Sequence, residues 1–213
     1  MFQHRRRRTP GRPSERVDRS PSRIVHHRFD VKGWLASPPK PEDARPGACV
    51  ACNAPARPVG GRLGLHGHGT RDRQLCGPPE ANHTPTWVVI ACRRYRCTNR
   101  GAILTVVPRG VAPRRHYGHA AIAMALTLWA IAHEPEADIR RRVCARGISF
   151  ESPTRWPTLT RWARAARVEL GAAALSLKDA AARAAQIAIG RAPPALRRAP
   201  RWAQAFAGGS AMP

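Results

Sequence analysis

The stretch Cys49-Val50-Ala51-Cys52-Asn53, answered downstream by Arg93-Arg94-Tyr95-Arg96-Cys97-Thr98-Asn99-Arg100-Gly101, decides how this chain is read. The first two cysteines have the spacing of a zinc knuckle, in which thiolates on a tight turn point at one metal while backbone N–H groups face the sulfurs. The residue after the second cysteine of such a turn needs a positive φ, which Asn53 tolerates and which Gly101 adopts freely at the matching place after Cys97. Cys49, Cys52 and Cys97 are therefore the candidate metal ligands, and Zn2+ is the expected ion. The fourth position holds Arg100, and a guanidinium does not ligate zinc. Several alternatives stay open. Water fills the place; or Cys92, Cys76, His66 or His68 is recruited; or the site has lost tight binding and its frame survives on apolar contacts; or the cysteines are unrelated. Cys76 and Cys144 lack a partner at useful spacing and read as small buried apolar residues.

Outward from the cysteines, residues 49–108 have the texture of short strands separated by glycines. Residues 62–66 and 92–96 alternate, 87–90 form a compact run of β-formers, and 103–107 give a further strand, so a small antiparallel sheet is expected. The Gly77-Pro78-Pro79-Glu80-Ala81-Asn82 segment is a loop by its turn chemistry. From Tyr117 the pattern becomes helical. A strongly apolar helix is expected first, then one over residues 135–146 that opens on Pro135, Glu136 and Asp138. A third is expected over 157–168, with the stripe Leu159, Trp162, Ala163 and Ala166 facing inward. Ala-rich sequence extends this third helix, whole or broken, to about Ile189.

The chain has 213 residues with 37 Lys and Arg against 13 Asp and Glu, a formal net charge of +24. Every third of it carries a basic excess, so no single tail accounts for the charge. A GC-rich coding bias explains why nearly all of these residues are arginine, Lys32, Lys40 and Lys178 being the lysines. It does not explain the shortage of acids. A polyanion whose counterions are released on binding is the ordinary partner of such a chain, which puts nucleic acid ahead of any small substrate. The longest apolar run, residues 120–132, falls short of the ~20 residues that span a bilayer. No membrane span or secretory signal is expected, and the expected location is the cytoplasm, in association with the nucleoid.

The helices over 135–146 and 157–168, joined through Gly147, have the skeleton of a helix-turn-helix, with a connection longer than the tight form needs. With the apolar stripe turned inward, Thr158, Thr160, Arg161, Arg164 and Arg167 are left for duplex DNA. Short hydroxyls and arginines near a helix N-terminus suit phosphate anchoring and base-edge reading in a major groove.

Taken together, the two cysteine turns, the Arg93–Cys97 run, the strand over 103–107 and the helix carrying Arg161-Trp162 resemble the N-terminal region of bacterial insertion-sequence transposases. That region begins with a zinc ribbon and a helix-turn-helix. The likeness is greatest to short zinc-ribbon and helix-turn-helix proteins of GC-rich bacteria related to those transposases, and it covers roughly residues 45–170. It implies that Cys49, Cys52 and Cys97 inherit the ligand role, and Arg100 departs from the pattern. The resulting expectation is an α+β chain with four parts: a disordered basic arm (1–48), a zinc-ribbon-like domain (49–116), a helical helix-turn-helix region (117–189) and a flexible tail (190–213).

Catalysis is not expected. Two-metal phosphodiester chemistry needs a set of carboxylates on an α/β core, whereas Glu169 and Asp179 are the only acids beyond the third helix. A His-x-His nickase built on His66 and His68, with Tyr95 or Tyr117 as nucleophile, is disfavoured by Gly67 and the glycines around it. The expected function is non-catalytic binding of duplex DNA. The alternatives are an RNA-binding or structural interaction module, or a decayed transposon fragment without activity.

Overall fold

The computed structural model describes residues 23–113, 115–145 and 155–212. They form an α+β structure in which a four-stranded sheet is followed by a cluster of helices. The strands are β1 (Arg23–Asp30), β2 (Leu65–Gly77), β3 (Thr86–Cys97) and β4 (Ile103–Arg109), in the order β1-β4-β3-β2. The pairs β2–β3 and β3–β4 are antiparallel, as expected, whereas β1 lies parallel to β4 and makes the sheet mixed.

Strand β1 corrects the expectation of a disordered arm over 1–48, of which residues 1–22 lie outside the described residues. Arg23, His26, His27 and Arg28 give the segment a solvated look, but Ile24, Val25, Phe29 and Val31 pack against the sheet's core. The short helix α1 (Val31–Ala36) follows at once. Asp30 caps it by accepting from the Gly33 N–H at 2.8 Å, and Trp34, 1% exposed, donates its indole N–H to the Ala91 carbonyl. The β1–β4 register shifts between His26 and Asp30, opposite Pro108, which has no N–H to give the ladder.

Central strand β4 is buried along most of its length, which is why it reads as a continuous apolar run. Edge strand β2 is exposed through its middle. It carries an extra residue between Gly67 and Thr70, where Gly69 takes a φ of 75° that a side chain would oppose.

The helical part is organised around α2 (His119–Ala130), which is apolar on nearly every face because α3 (Glu136–Val143), α4 (Pro157–Glu169), α5 (Leu177–Gly190) and α6 (Arg201–Ser210) all surround it or each other. Helix α3 begins with Glu136 and Asp138 and ends with Arg140, Arg141 and Arg142, a charge order that suits the helix dipole. On α4 the side chains of Leu159, Trp162 and Ala163 point inward as expected, and Tyr117, Trp156 and Trp162 meet edge to face with centroids 5.0–6.1 Å apart. The Ala-rich extension is broken, since Gly171 leaves α4 at a φ of 59° and Ser176 caps α5.

The expected flexible tail over 190–213 is also corrected. Residues 201–210 form α6, which packs on both α2 and α5 through Ala205, Gly208 and Gly209. A Cβ on Gly208 would lie 1.8 Å from the Ala188 carbonyl oxygen, so the helices approach to backbone contact. Arg142 spans to this helix, pairing with Glu134 at 2.9 Å and lying over the Trp202 ring at 4.4 Å. No helix among the described residues is long and apolar enough to cross a membrane.

Candidate metal centre and basic surfaces

Cys49 and Cys52 sit on a tight hairpin. The Cys49 N–H donates to the Ala54 carbonyl at 2.9 Å, the Asn53 N–H returns to the Cys49 carbonyl at 2.7 Å, and Asn53 takes a φ of 54°. Cys97 ends β3 on a turn of the same design. There the Gly101 N–H donates to the Cys97 carbonyl at 2.8 Å, and Gly101 has a φ of 64°. Both positive-φ positions were legible in the sequence.

The two turns converge on each other. The Sγ atoms of Cys49, Cys52 and Cys97 all lie within 4.8 Å of one another, and Cys52 and Cys97 are 3.7 Å apart. That is too far for a disulfide and matches the roughly 3.8 Å between thiolates that share a tetrahedral zinc with bonds of about 2.3 Å. The Ala51 N–H donates to the Cys49 sulfur at 3.3 Å. Burial is the largest influence on both inner thiols, and it pushes Cys49 up. At Cys97 burial is outweighed by the N–H groups of Arg100 and Asn99 and by the neighbouring Cys49 and Cys52, so this thiol lies below its ordinary value. The donor set of the cluster suits a thiophilic divalent ion.

None of the candidates for a fourth ligand joins the three. His66 and His68 stand exposed on β2, Cys92 is buried in the sheet's core with its Sγ directed at the Ile90 carbonyl, and Cys76 belongs to the helical core. Arg100 is exposed and meets Cys97 through its backbone N–H. Among the described residues the site therefore offers three protein ligands.

Sequence reasoning missed what holds the turns together. The Gly64 N–H donates to Ala56 behind the first turn, and the Gly64 carbonyl accepts the Thr98 N–H of the second at 3.0 Å. A Cβ on Gly64 would lie 2.4 Å from the Pro55 oxygen. The only sequence signal was a glycine inside an alternating run. Arg23 on β1 adds a bond to the Val50 carbonyl at 2.6 Å, which ties the N-terminal strand to the same turn.

On α4, Arg161 and Arg164 occupy the exposed outer face, opposite Leu159 and Trp162, while Thr158, Thr160 and Arg167 lie half-buried on its flanks. Arg161 reaches back toward the Thr158 hydroxyl at 3.5 Å. The two helices expected as a helix-turn-helix, α3 and α4, both pack on α2, share its apolar core, and are joined where the Glu136 carboxylate of α3 accepts the N–H of Trp156, the residue before α4. Gly147 and most of their connection lie outside the described residues. On the sheet Arg71 and Arg96, and on the turns beside it Arg62 and Arg100, are also exposed. No protein-family model, curated protein or solved structure matches the chain.

Proposed function

We propose that the protein binds duplex DNA without catalysing a reaction, that α4 is its reading element, and that Cys49, Cys52 and Cys97 hold a zinc ion that fixes the two turns of a ribbon-like sheet. The observation that carries this reading is the division of α4. One face is pinned to the core by Leu159, Trp162 and Ala163, and the other offers Arg161 and Arg164 to solvent in a chain of net charge +24. Arginines on a helix held rigidly from behind are suited to base edges in a major groove, whereas the arginines spread over the sheet suit phosphates. A helix-turn-helix-like use of α3 and α4, kinship with transposase N-terminal regions and a place on the nucleoid belong to the same proposal.

Zinc, when bound, supplies a fixed positive charge that holds three thiolates together, and the protein's part is to aim backbone N–H groups at the sulfurs. Binding to duplex DNA, duplex RNA and single strands across a salt series tests the reading. A steep salt slope with clear preference for duplex DNA is expected. Equal binding to all three would leave electrostatics alone, and preference for RNA would move the protein to the alternative class.

A further inference from the structure

The sequence left Cys76 and Cys144 as inert core residues, yet the fold brings them together from distant parts of the chain. Cys76 lies near the end of β2, bridged backbone to backbone with Tyr117. Cys144 closes α3 as its C-cap. Both side chains lie in the helical core, where Cys76 is 1% and Cys144 9% exposed. Around the pair, the Tyr117 hydroxyl donates to the Cys144 sulfur at 3.0 Å and the Ala145 N–H donates to the Cys76 sulfur at 3.4 Å. The Ala145 contact sets the Cys76 sulfur against the residue next to Cys144, and among the described residues no third cysteine, histidine or carboxylate groups with the two to form a metal site.

We propose that Cys76 and Cys144 form a reversible dithiol–disulfide couple that staples the sheet's edge strand to the end of α3. The oxidant is a low-molecular-weight disulfide such as oxidised glutathione. Cys144, the more exposed of the two, loses its proton and attacks one glutathione sulfur, which releases the first glutathione as a thiolate and leaves a mixed disulfide. Cys76 then attacks the Cys144 sulfur, the mixed disulfide breaks and the second glutathione leaves. Two thiol protons pass to the two released thiolates, the cysteines are oxidised by two electrons and the glutathione disulfide is reduced by the same two. The neighbouring Cys144 thiol, and then burial, hold the Cys76 thiol well above its ordinary value.

The test uses the full-length, zinc-loaded protein equilibrated with glutathione buffers from fully reduced to fully oxidised, then quenched in acid, unfolded, alkylated and mapped without reduction. A Cys76–Cys144 cross-linked peptide is expected to accumulate as the buffer becomes oxidising. Its formation should raise Tm by about 5 °C or more and quench the emission of Trp156 and Trp162, which pack on Tyr117. In Cys76→Ala the reaction should stop at a glutathione adduct on Cys144. Because that variant can fail to fold, the wild-type map decides by itself. Both cysteines remaining alkylatable at the most oxidising ratio, or a wild-type protein that halts at the Cys144 adduct, would overturn the proposal. DNA binding is read separately, so this outcome stands or falls without it.

Discussion

Cys49, Cys52 and Cys97 at the edge of the sheet and Cys76 and Cys144 in the helical core are the same residue type in two opposite settings. At the first, backbone N–H groups of Ala51, Asn99 and Arg100 face the sulfurs, and the Cys97 thiol is depressed despite its burial. At the second, the pair lies deep among apolar side chains and the Cys76 thiol is raised. Chain spacing distinguishes them poorly, because Cys97 is as remote from Cys52 as many unrelated residues are. What faces the sulfur decides whether a cysteine is prepared to ligate or to stay protonated.

That contrast can be broken or sharpened by experiment. Removing the aromatic wall of the helical pair has the largest expected effect. Trp162→Ala should destabilise the protein by about 3–5 kcal/mol in denaturant titration while leaving zinc affinity alone. An equal loss of zinc affinity would show that the two regions fold as one unit and that the contrast is not local.

Acid should act next. His119, at the start of α2, is held down to about 4 by burial and then by the nearby charges of His26 and Arg73. Its folded pKa lies below the unfolded 6.5, so the unfolded chain binds the extra proton between these values. The stability is fully present above about pH 6.5 and is lost as pH falls toward about 4, amounting to roughly 3 kcal/mol. In zinc-free protein, His119→Asn should flatten stability across that window. An unchanged slope would remove His119 as its source.

Cys49→Ser should weaken zinc binding by more than about a hundredfold in competition with a chelator, whereas Cys144→Ser should leave it unaltered. Similar losses in both variants would erase the distinction between the two cysteine groups. For DNA, Arg161→Ala should cost about 1–3 kcal/mol at a preferred site and relax its specificity, while Arg71→Ala on the sheet should weaken every sequence alike and reduce the salt slope. If both changes behave identically, α4 is not the reader. The smallest effect is a gain. Arg100→Cys supplies a fourth thiolate and should raise zinc affinity by about tenfold or more, and no change there would mean that the fourth position does not face the metal.

Much of this was legible before the fold was known, for reasons that are local. The Cys49–Asn53 and Cys97–Gly101 turns depend on spacing and on a residue that accepts positive φ, and both requirements are written within five positions. The inward stripe of α4 follows from helical periodicity over a single element, and so does the exposure of Arg161 and Arg164. Strand β1 was hidden because its arginines and histidines dominate any local count of polarity. Its partner β4 lies some eighty residues away, and a parallel pairing of that kind leaves no mark in the segment itself. Helix α6 was hidden because alanine and glycine are weak signals of burial, although the same small size lets Gly208 and Gly209 bring backbones into contact.

The sequence by itself determined the charge, the two cysteine turns, the β-then-α order and the amphipathic division of α4, because each of these is set by residues near one another in the chain. Only the tertiary structure decided that Cys97 reaches the first turn, that Gly64 is the spacer between the turns, that β1 joins the sheet, and that Cys76 meets Cys144. Those outcomes depend on which distant surfaces bury each other best. Burial is a property of the assembled core and is not carried by any one segment.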